Sequence, residues 1–199
     1  MEKTIIFDLG GVLIDWNPRY LYRKLFDQES DMEDFLSRIC TTDWNEQQDA
    51  GRPFAEGMAL LSEKHPAFRE HIEAYFGRWT EMLGGALEET VEVLADLKQR
   101  KVPLFALTNF SAETFPMARE RFEFLSWFEG ILVSGEEGLK KPDHKIFHLL
   151  AERYDLNLEG AAFIDDTPKN VKAAQELGLH GIHFTTASNL KQDIDRFLA

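Results

Sequence analysis

Cysteine is almost missing from this chain. A single Cys40 in 199 residues rules out an internal disulfide and reads as a small apolar core residue. The six histidines, His65, His144 and His183 among them, fall at no spacing that suits a zinc site. Long apolar runs are missing too, none approaching the ~18–20 residues that a membrane-spanning helix needs. Basic charge is scarce: 22 Lys and Arg stand against 35 Asp and Glu, a net charge of −13. Such a balance lacks the basic stripe of a nucleic-acid surface and disfavours docking on anionic lipid. The expected partners therefore include neither nucleic acid nor membrane. Met1-Glu2-Lys3 runs into a strand-like segment without the apolar stretch of a signal peptide, so the expected compartment is the cytoplasm.

What is present is a packable chain, 44% hydrophobic and 29% charged, long enough for one core domain and a modest insertion. Five short apolar runs read as strands: Thr4–Phe7, Val102–Leu107, Gly130–Val133, Ala161–Ile164 and Gly181–Phe184. None alternates cleanly between apolar and polar, which is the pattern of strands buried on both faces of a parallel sheet. Helical stripes separate them: Leu87, Val91 and Leu94; then Ile146, Phe147, Leu150 and Tyr154; then Val171, Ala174 and Leu177 between Pro168 and Gly178. A last helix is expected from Ser188, as its cap, through Leu190, Ile194 and Phe197. Strands alternating with helices predict an α/β fold, a doubly wound parallel Rossmann-like sheet.

Residues 16–85 interrupt that rhythm with helical patterns alone. Asn17-Pro18 reads as a cap and first turn. Stripes follow at Met32, Phe35, Leu36 and Ile39, and at Phe54, Met58 and Leu61. A longer one runs through Phe68, Ile72, Tyr75, Phe76, Trp79 and Leu83, before a return hinge at Gly84-Gly85. The expected domains are a Rossmann-like core of residues 1–15 and 86–199 and an inserted all-helical cap of residues 16–85. Trp16, Arg19, Tyr20, Trp44 and Arg52 are the cap's candidates to face a cleft.

In an open parallel sheet, ligands bind beyond the carboxyl ends of the strands. Polar groups collect there: Asp8 after the first run, Thr108 and Asn109 after the second, Lys141 in the loop after the third, and Asp165 and Asp166 after the fourth. Each alone reads as a turn former, a helix cap or a solvated lysine, but together they mark one edge. Converging carboxylates without Cys or His suit a hard cation such as Mg²⁺. A hydroxyl and an amide at Thr108 and Asn109 can hold phosphoryl oxygens, and a lysine can balance charge.

The segments Phe7-Asp8-Leu9-Gly10-Gly11-Val12-Leu13-Ile14-Asp15, Leu107-Thr108-Asn109, Lys141-Pro142-Asp143 and Phe163-Ile164-Asp165-Asp166 resemble the four ordered motifs of the haloacid dehalogenase-like hydrolase superfamily. The spacing agrees: Thr108 follows Asp8 by 100 residues, Lys141 follows Thr108 by 33, and Asp165 follows Lys141 by 24. The resemblance is greatest to members with a helical cap between the first two motifs, and within them to bacterial sugar-phosphate phosphatases of the α-D-glucose 1-phosphate type. It implies that Asp8 is a nucleophile forming an aspartyl-phosphate, and that Asp8, the carbonyl of Gly10, Asp166 and Asp165 serve a Mg²⁺ ion. It further implies that Thr108 and Asn109 bind the phosphate, and that Lys141 both balances charge in catalysis and binds substrate.

One position departs from the family. Most of its phosphatases carry a second aspartate two residues after the nucleophile, a general acid and base, and here that residue is Gly10. Asp15 is a conceivable substitute, though it reads better as a turn or hinge residue. The departure keeps two alternatives alive: a metal-independent 2-haloacid dehalogenase, and a weakly catalytic sensor of a phosphorylated ligand. Three carboxylates facing one point repel unless a cation joins them, which favours the phosphatase. The expected substrate is a small phosphorylated metabolite, and the expected assembly is a monomer or homodimer.

Overall fold

A computed structural model describes residues 3–199. Five parallel strands form the sheet: β1 (Thr4–Phe7), β4 (Leu104–Thr108), β5 (Gly130–Val133), β6 (Ala161–Asp165) and β7 (His180–His183), in the spatial order β5-β4-β1-β6-β7. The chain leaves β1 for β4 and β5 on one side, then crosses back to β6 and β7 on the other. The crevice this reversal opens lies beyond β1, the topological switch point at which doubly wound sheets bind ligands. Successive side chains of β1 point to opposite faces. Ile6 joins Phe105, Leu107 and Phe163 on one face, while Ile5 and Phe7 join Leu104 and Ala106 on the other.

The first of those faces packs on helices α9 (His144–Tyr154) and α10 (Pro168–Glu176), through Ile146, Phe147, Leu150, Ala173 and Ala174. The second packs on α6 (Glu88–Gln99) and α11 (Ala187–Leu198), through Leu94, Leu97, Leu190 and Ile194. Pro168 opens α10 and Gly178, at φ +89°, follows its end, as the sequence pattern predicts. The cap of α11 is Thr186 and not Ser188: the Thr186 hydroxyl accepts the Asn189 N–H at 3.2 Å. Two shorter helices, α7 (Phe115–Arg121) and α8 (Ser134–Glu137), complete the connections around β5.

Between β1 and β4 the chain is not wholly helical. β2 (Ile14–Trp16) pairs antiparallel with β3 (Leu83–Ala86), and this small ribbon carries the inserted helices. Gly84 sits so close to Asp15 that a Cβ there would lie 2.1 Å from the carboxylate. The ribbon escapes sequence reading because three- and four-residue strands leave no period to detect. Its helices are α1 (Arg19–Tyr22), α2 (Glu29–Arg38), α3 (Thr42–Asp49), α4 (Phe54–Lys64) and α5 (Arg69–Gly77). The long stripe expected through Leu83 breaks: 3₁₀ turns at 66–68 and 79–82 flank α5, and Leu83 belongs to β3. Tyr22, Phe35, Phe54 and Tyr75 form the aromatic core of this module. Cys40 is buried there, and desolvation pushes its thiol up to about 12. Among the described residues no helix is long and apolar enough to cross a membrane.

Candidate active site

Register puts the polar groups together. Phe7 is level with Ile164 of β6, so Asp8 and Asp165 leave adjacent strands side by side, and the Asp8 N–H still donates to the Ile164 carbonyl at 2.8 Å. Asp8 Oδ1 accepts the Leu9 N–H at 2.7 Å and lies 2.9 Å from Lys141 Nζ. The same ammonium donates to Asp165 Oδ2 at 2.7 Å. The Lys141 side chain is fully buried, its ammonium shared between these two carboxylates at the cavity floor.

The loop that delivers Lys141 is set by its own neighbours. Gly138 ends α8 at φ +66°, in the left-handed region that glycine enters without strain. Asp143 caps α9 by accepting the Lys145 N–H at 2.9 Å. Between them the Asn109 side chain clamps the Lys141 backbone: Oδ1 accepts its N–H at 2.8 Å, and Nδ2 donates to its carbonyl at 3.0 Å. Asn109 therefore positions the lysine with its side chain, leaving its main-chain N–H as the group for a ligand. Thr108 is buried at the end of β4.

Asp165 is fully buried and fully engaged. It accepts the Thr167 N–H at 2.8 Å and Asn170 Nδ2 at 3.1 Å on both oxygens. Asp166 is exposed and takes the Thr167 hydroxyl at 3.2 Å. Asp8, Asp165 and Asp166 each offer an oxygen, and the three oxygens lie within 4.8 Å of one another. Burial pushes the Asp8 carboxyl up to about 7, with Lys141 pulling it down and Asp165 adding to the rise. Burial and Asp165 likewise raise Asp166. For Lys141, burial works against the ammonium, but Asp8 and Asp165 outweigh it and its pKa ends above the usual value.

The donor set fits a hard divalent cation. Three carboxylates against one ammonium leave an excess of two negative charges, the charge of one Mg²⁺, and all the donors are oxygens. Beside them Asn170, which lines the cavity, keeps its Oδ1 buried without a hydrogen-bond partner, an oxygen acceptor of the type a hydrated cation uses. Gly11, at φ +73°, makes room for the acidic side: a Cβ there would lie 2.3 Å from Asp166 Oδ2.

Above this floor is a cavity of about 500 Å³. Its apolar wall is Ile14, Trp16, Phe54, Trp79 and Phe110, and its polar roof is Thr42, Asn45, Glu46 and Asp49. Of the five cleft candidates from the insertion, only Trp16 lines it. Arg19 is forked onto Glu33 at 2.5 and 2.6 Å, and Tyr20 donates to Asp15 at 2.6 Å. Trp44 packs against Tyr75, and Arg52 is bound to Gln48 and the Trp44 carbonyl. Asp15 lies in the ribbon and outside the cavity lining.

The roof residues were not legible from apolar period, because α3 reads Thr-Asp-Trp-Asn-Glu-Gln-Gln-Asp. A different signal marks them. Residues 42, 45, 46 and 49 follow the i, i+3, i+4, i+7 rule of one helix face, and that face is wholly polar. The sheet-bearing core holds it in place. Ser134 Oγ donates to the Asp49 carbonyl at 2.5 Å while accepting the Phe110 N–H at 2.9 Å, and Lys140 is ion-paired with Glu46.

A five-stranded switch-point sheet whose edge joins two aspartate-bearing strand ends to a buried lysine defines a class, and comparison with known proteins agrees. The family model for haloacid dehalogenase-like hydrolases matches residues 2–178. The chain belongs to that family, and it is a hydrolase of the phosphatase kind. A sesquiterpene phosphatase of Aspergillus oryzae is 31% identical over 184 residues, covering 92% of this chain and 90% of the relative. A phosphoglycolate phosphatase of Photobacterium profundum is 26% identical, covering 96% and 87%. A family member from Bacteroides thetaiotaomicron, solved in complex with magnesium and inorganic phosphate, superposes with a TM-score of 0.69 at 25% identity, covering 90% and 92%.

Proposed function

We propose that this protein is a Mg²⁺-dependent phosphatase that hydrolyses a small phosphomonoester through an aspartyl-phosphate on Asp8. The observation that carries the reading is the position of Lys141 Nζ, 2.9 Å from Asp8 and 2.7 Å from Asp165, beside three carboxylate oxygens within 4.8 Å. Asp8, the Gly10 carbonyl, Asp166 and Asp165 would hold the ion, Asp165 with its oxygens already shared with Lys141 and Asn170. The bound cation supplies charge neutralisation for the phosphoryl oxygens. Leu9 N–H and Lys141 both engage Asp8 Oδ1, so Oδ2 is the oxygen left to attack phosphorus. Thr108, the Asn109 N–H and Lys141 bind the transferring group and stabilise its charge.

Residues 16–85 act in this reading as a cap over a core of residues 1–15 and 86–199, contributing the roof of the cavity. The roof and wall favour an uncharged leaving group. Among the described residues lining the cavity, the basic side chains are Lys141, which serves the transferring group, and Lys169, which stands 3.6 Å from Glu46. A sugar phosphate is the first reading of the substrate, its hydroxyls matched by Thr42, Asn45 and Glu46. A phosphate of an apolar alcohol is the second, favoured by the wall of Ile14, Trp16, Phe54, Trp79 and Phe110. The acidic charge and the lone buried cysteine suit a cytoplasmic setting.

The test is phosphate release from a panel of sugar, terpenyl and carboxylate-bearing phosphates, with Mg²⁺ and with EDTA, beside Asp8→Asn. Metal-dependent release that the variant lacks is the expected result. Chloride released from a 2-haloacid in EDTA, without phosphatase activity, would establish the dehalogenase instead. Phosphate-ligand binding without either turnover would establish the sensor.

A further inference from the structure

Gly10 leaves the chemistry short of a proton donor, and the molecule offers one from the opposite side of the cavity. A Cβ built on Gly10 meets nothing within 4 Å, so the place where the family usually puts its acid is open space. The same cavity is lined by α3, whose last residue is Asp49. We propose that Asp49, carried by the inserted module and locked to the core, is the general acid and base of this enzyme in place of the missing aspartate. The proposal rests on the phosphatase reading above.

Three features support it. First, Asp49 lines the same cavity as Asp8 and Gly10 and is half-buried there. Second, its backbone is fixed: Ser134 Oγ holds its carbonyl at 2.5 Å, and Gly51, two residues on, packs so tightly that a Cβ would stand 3.2 Å from the Gly135 carbonyl. A proton donor must keep its distance to the reacting oxygen, and this one moves with the core. Third, its carboxyl is oriented by neighbours: Asn45 Nδ2 donates to Oδ2 at 3.0 Å, and the Ser111 N–H also engages the carboxylate.

The charged surroundings suit the task. On α3, Glu46 opposes ionisation of Asp49; from the core loop, Lys140 favours it, as does the Ser111 N–H. Tyr75 of α5 interacts with it as well. Across the cavity stand Asp8, Lys141 and Asp166, and on α10 Lys169, which lies nearer to Glu46. Burial dominates, pushing Asp49 up to about 7. A general acid works best near the operating pH.

The steps balance. Asp8 Oδ2 forms a bond to phosphorus as the bond to the leaving oxygen breaks, and the Asp49 proton goes to that oxygen. Asp49, now a carboxylate, takes a proton from water as the water oxygen attacks phosphorus. The Asp8–phosphorus bond then breaks, returning both aspartates to their starting forms with phosphate released.

The test compares leaving groups in Asp49→Asn. p-Nitrophenyl phosphate departs as a stable anion and needs no proton, whereas an alkyl phosphate does. The alkyl substrate is whichever of a panel the wild-type enzyme turns over fastest. The kcat/KM for the alkyl phosphate should fall ~10²–10⁴-fold, while that for p-nitrophenyl phosphate falls less than about tenfold on the same scale. Mixing the variant with p-nitrophenyl phosphate should give a burst of p-nitrophenolate stoichiometric with enzyme, because the second step lacks its base. Equal losses on both substrates, or an unchanged alkyl rate, would overturn the assignment. Asn45→Ala supplies a second arm if Asp49→Asn does not fold. Loss of a bond to the carboxylate raises the pKa of Asp49, so the alkaline limb of the alkyl-phosphate profile should move up, and an unmoved limb would refute the proposal. A wild-type enzyme inactive on every phosphate would instead sink the phosphatase reading itself, whatever the variants did.

Discussion

Lys141 Nζ stands between Asp8 and Asp165, 2.9 Å from one and 2.7 Å from the other, with no exposed side-chain surface. One buried cation thus holds the Asp8 carboxylate against the Asp165 carboxylate. Removing it leaves two buried anions facing each other.

Lys141→Ala should therefore damage both activity and folding. Breaking a buried ion pair by deleting one partner typically costs ~3–5 kcal/mol, and chemical denaturation in EDTA is the measurement. Phosphate release should fall by about two to three orders of magnitude, as for loss of a preorganised charge-stabilising group. A variant with wild-type stability would show that the site relaxes its charge by another route.

Protons and Mg²⁺ should compete. Burial raises Asp8 to about 7 and shifts Asp166 upward. A carboxyl whose folded pKa exceeds its unfolded value favours the folded state at low pH. That contribution is lost as pH rises from about 4 to about 7. The metal-free protein should lose Tm over this window. Added Mg²⁺ should raise Tm more at pH 8 than at pH 5.5, since its ligands must be deprotonated. Differential scanning fluorimetry checks the sign, and a larger Mg²⁺ effect at the lower pH would contradict it.

Gly11→Ala tests whether the acidic side needs this backbone. The added Cβ would lie 2.3 Å from Asp166 Oδ2 at a residue with φ +73°, so the carboxylate must move. Disturbing the setting of a metal ligand typically weakens affinity ~10–100-fold. Isothermal titration with Mg²⁺ should show that loss, with phosphatase activity recovered at raised metal concentration.

Ser134→Ala removes the hydroxyl that accepts from Phe110 N–H and donates to the Asp49 carbonyl. Leaving those groups unpaired should cost ~1–3 kcal/mol of stability. Because the cut falls between α3 and the core, kcat on alkyl phosphates should drop further than Mg²⁺ affinity does. Equal changes in both would place the hydroxyl's effect in general packing.

Much of this molecule was written locally. The apolar runs of β1, β4, β5, β6 and β7 and the polar residues that end them were visible because burial on both faces demands such runs. Asp8, Thr108, Asn109, Lys141, Asp165 and Asp166 carried their motif in order. The ribbon of β2 and β3 was not visible, since Asp15 meets Gly85 across about 70 residues of intervening chain and neither strand has a period of its own. α3 was hidden for the opposite reason: its informative face is polar, and burial leaves no mark on it.

The sequence by itself determined the sheet, the order of its motifs and the acidic excess that calls for a cation, because each depends on residue type and near-neighbour spacing. Tertiary structure alone decided that Asn109 spends its side chain on the Lys141 backbone and that Arg19 is bound to Glu33 and away from the cavity. It also decided that Asp49, from the inserted helices, lines the same cavity as Asp8 and Gly10. Those relations join residues remote in the chain, and only the closure of the inserted helices onto the strand ends fixes their distances.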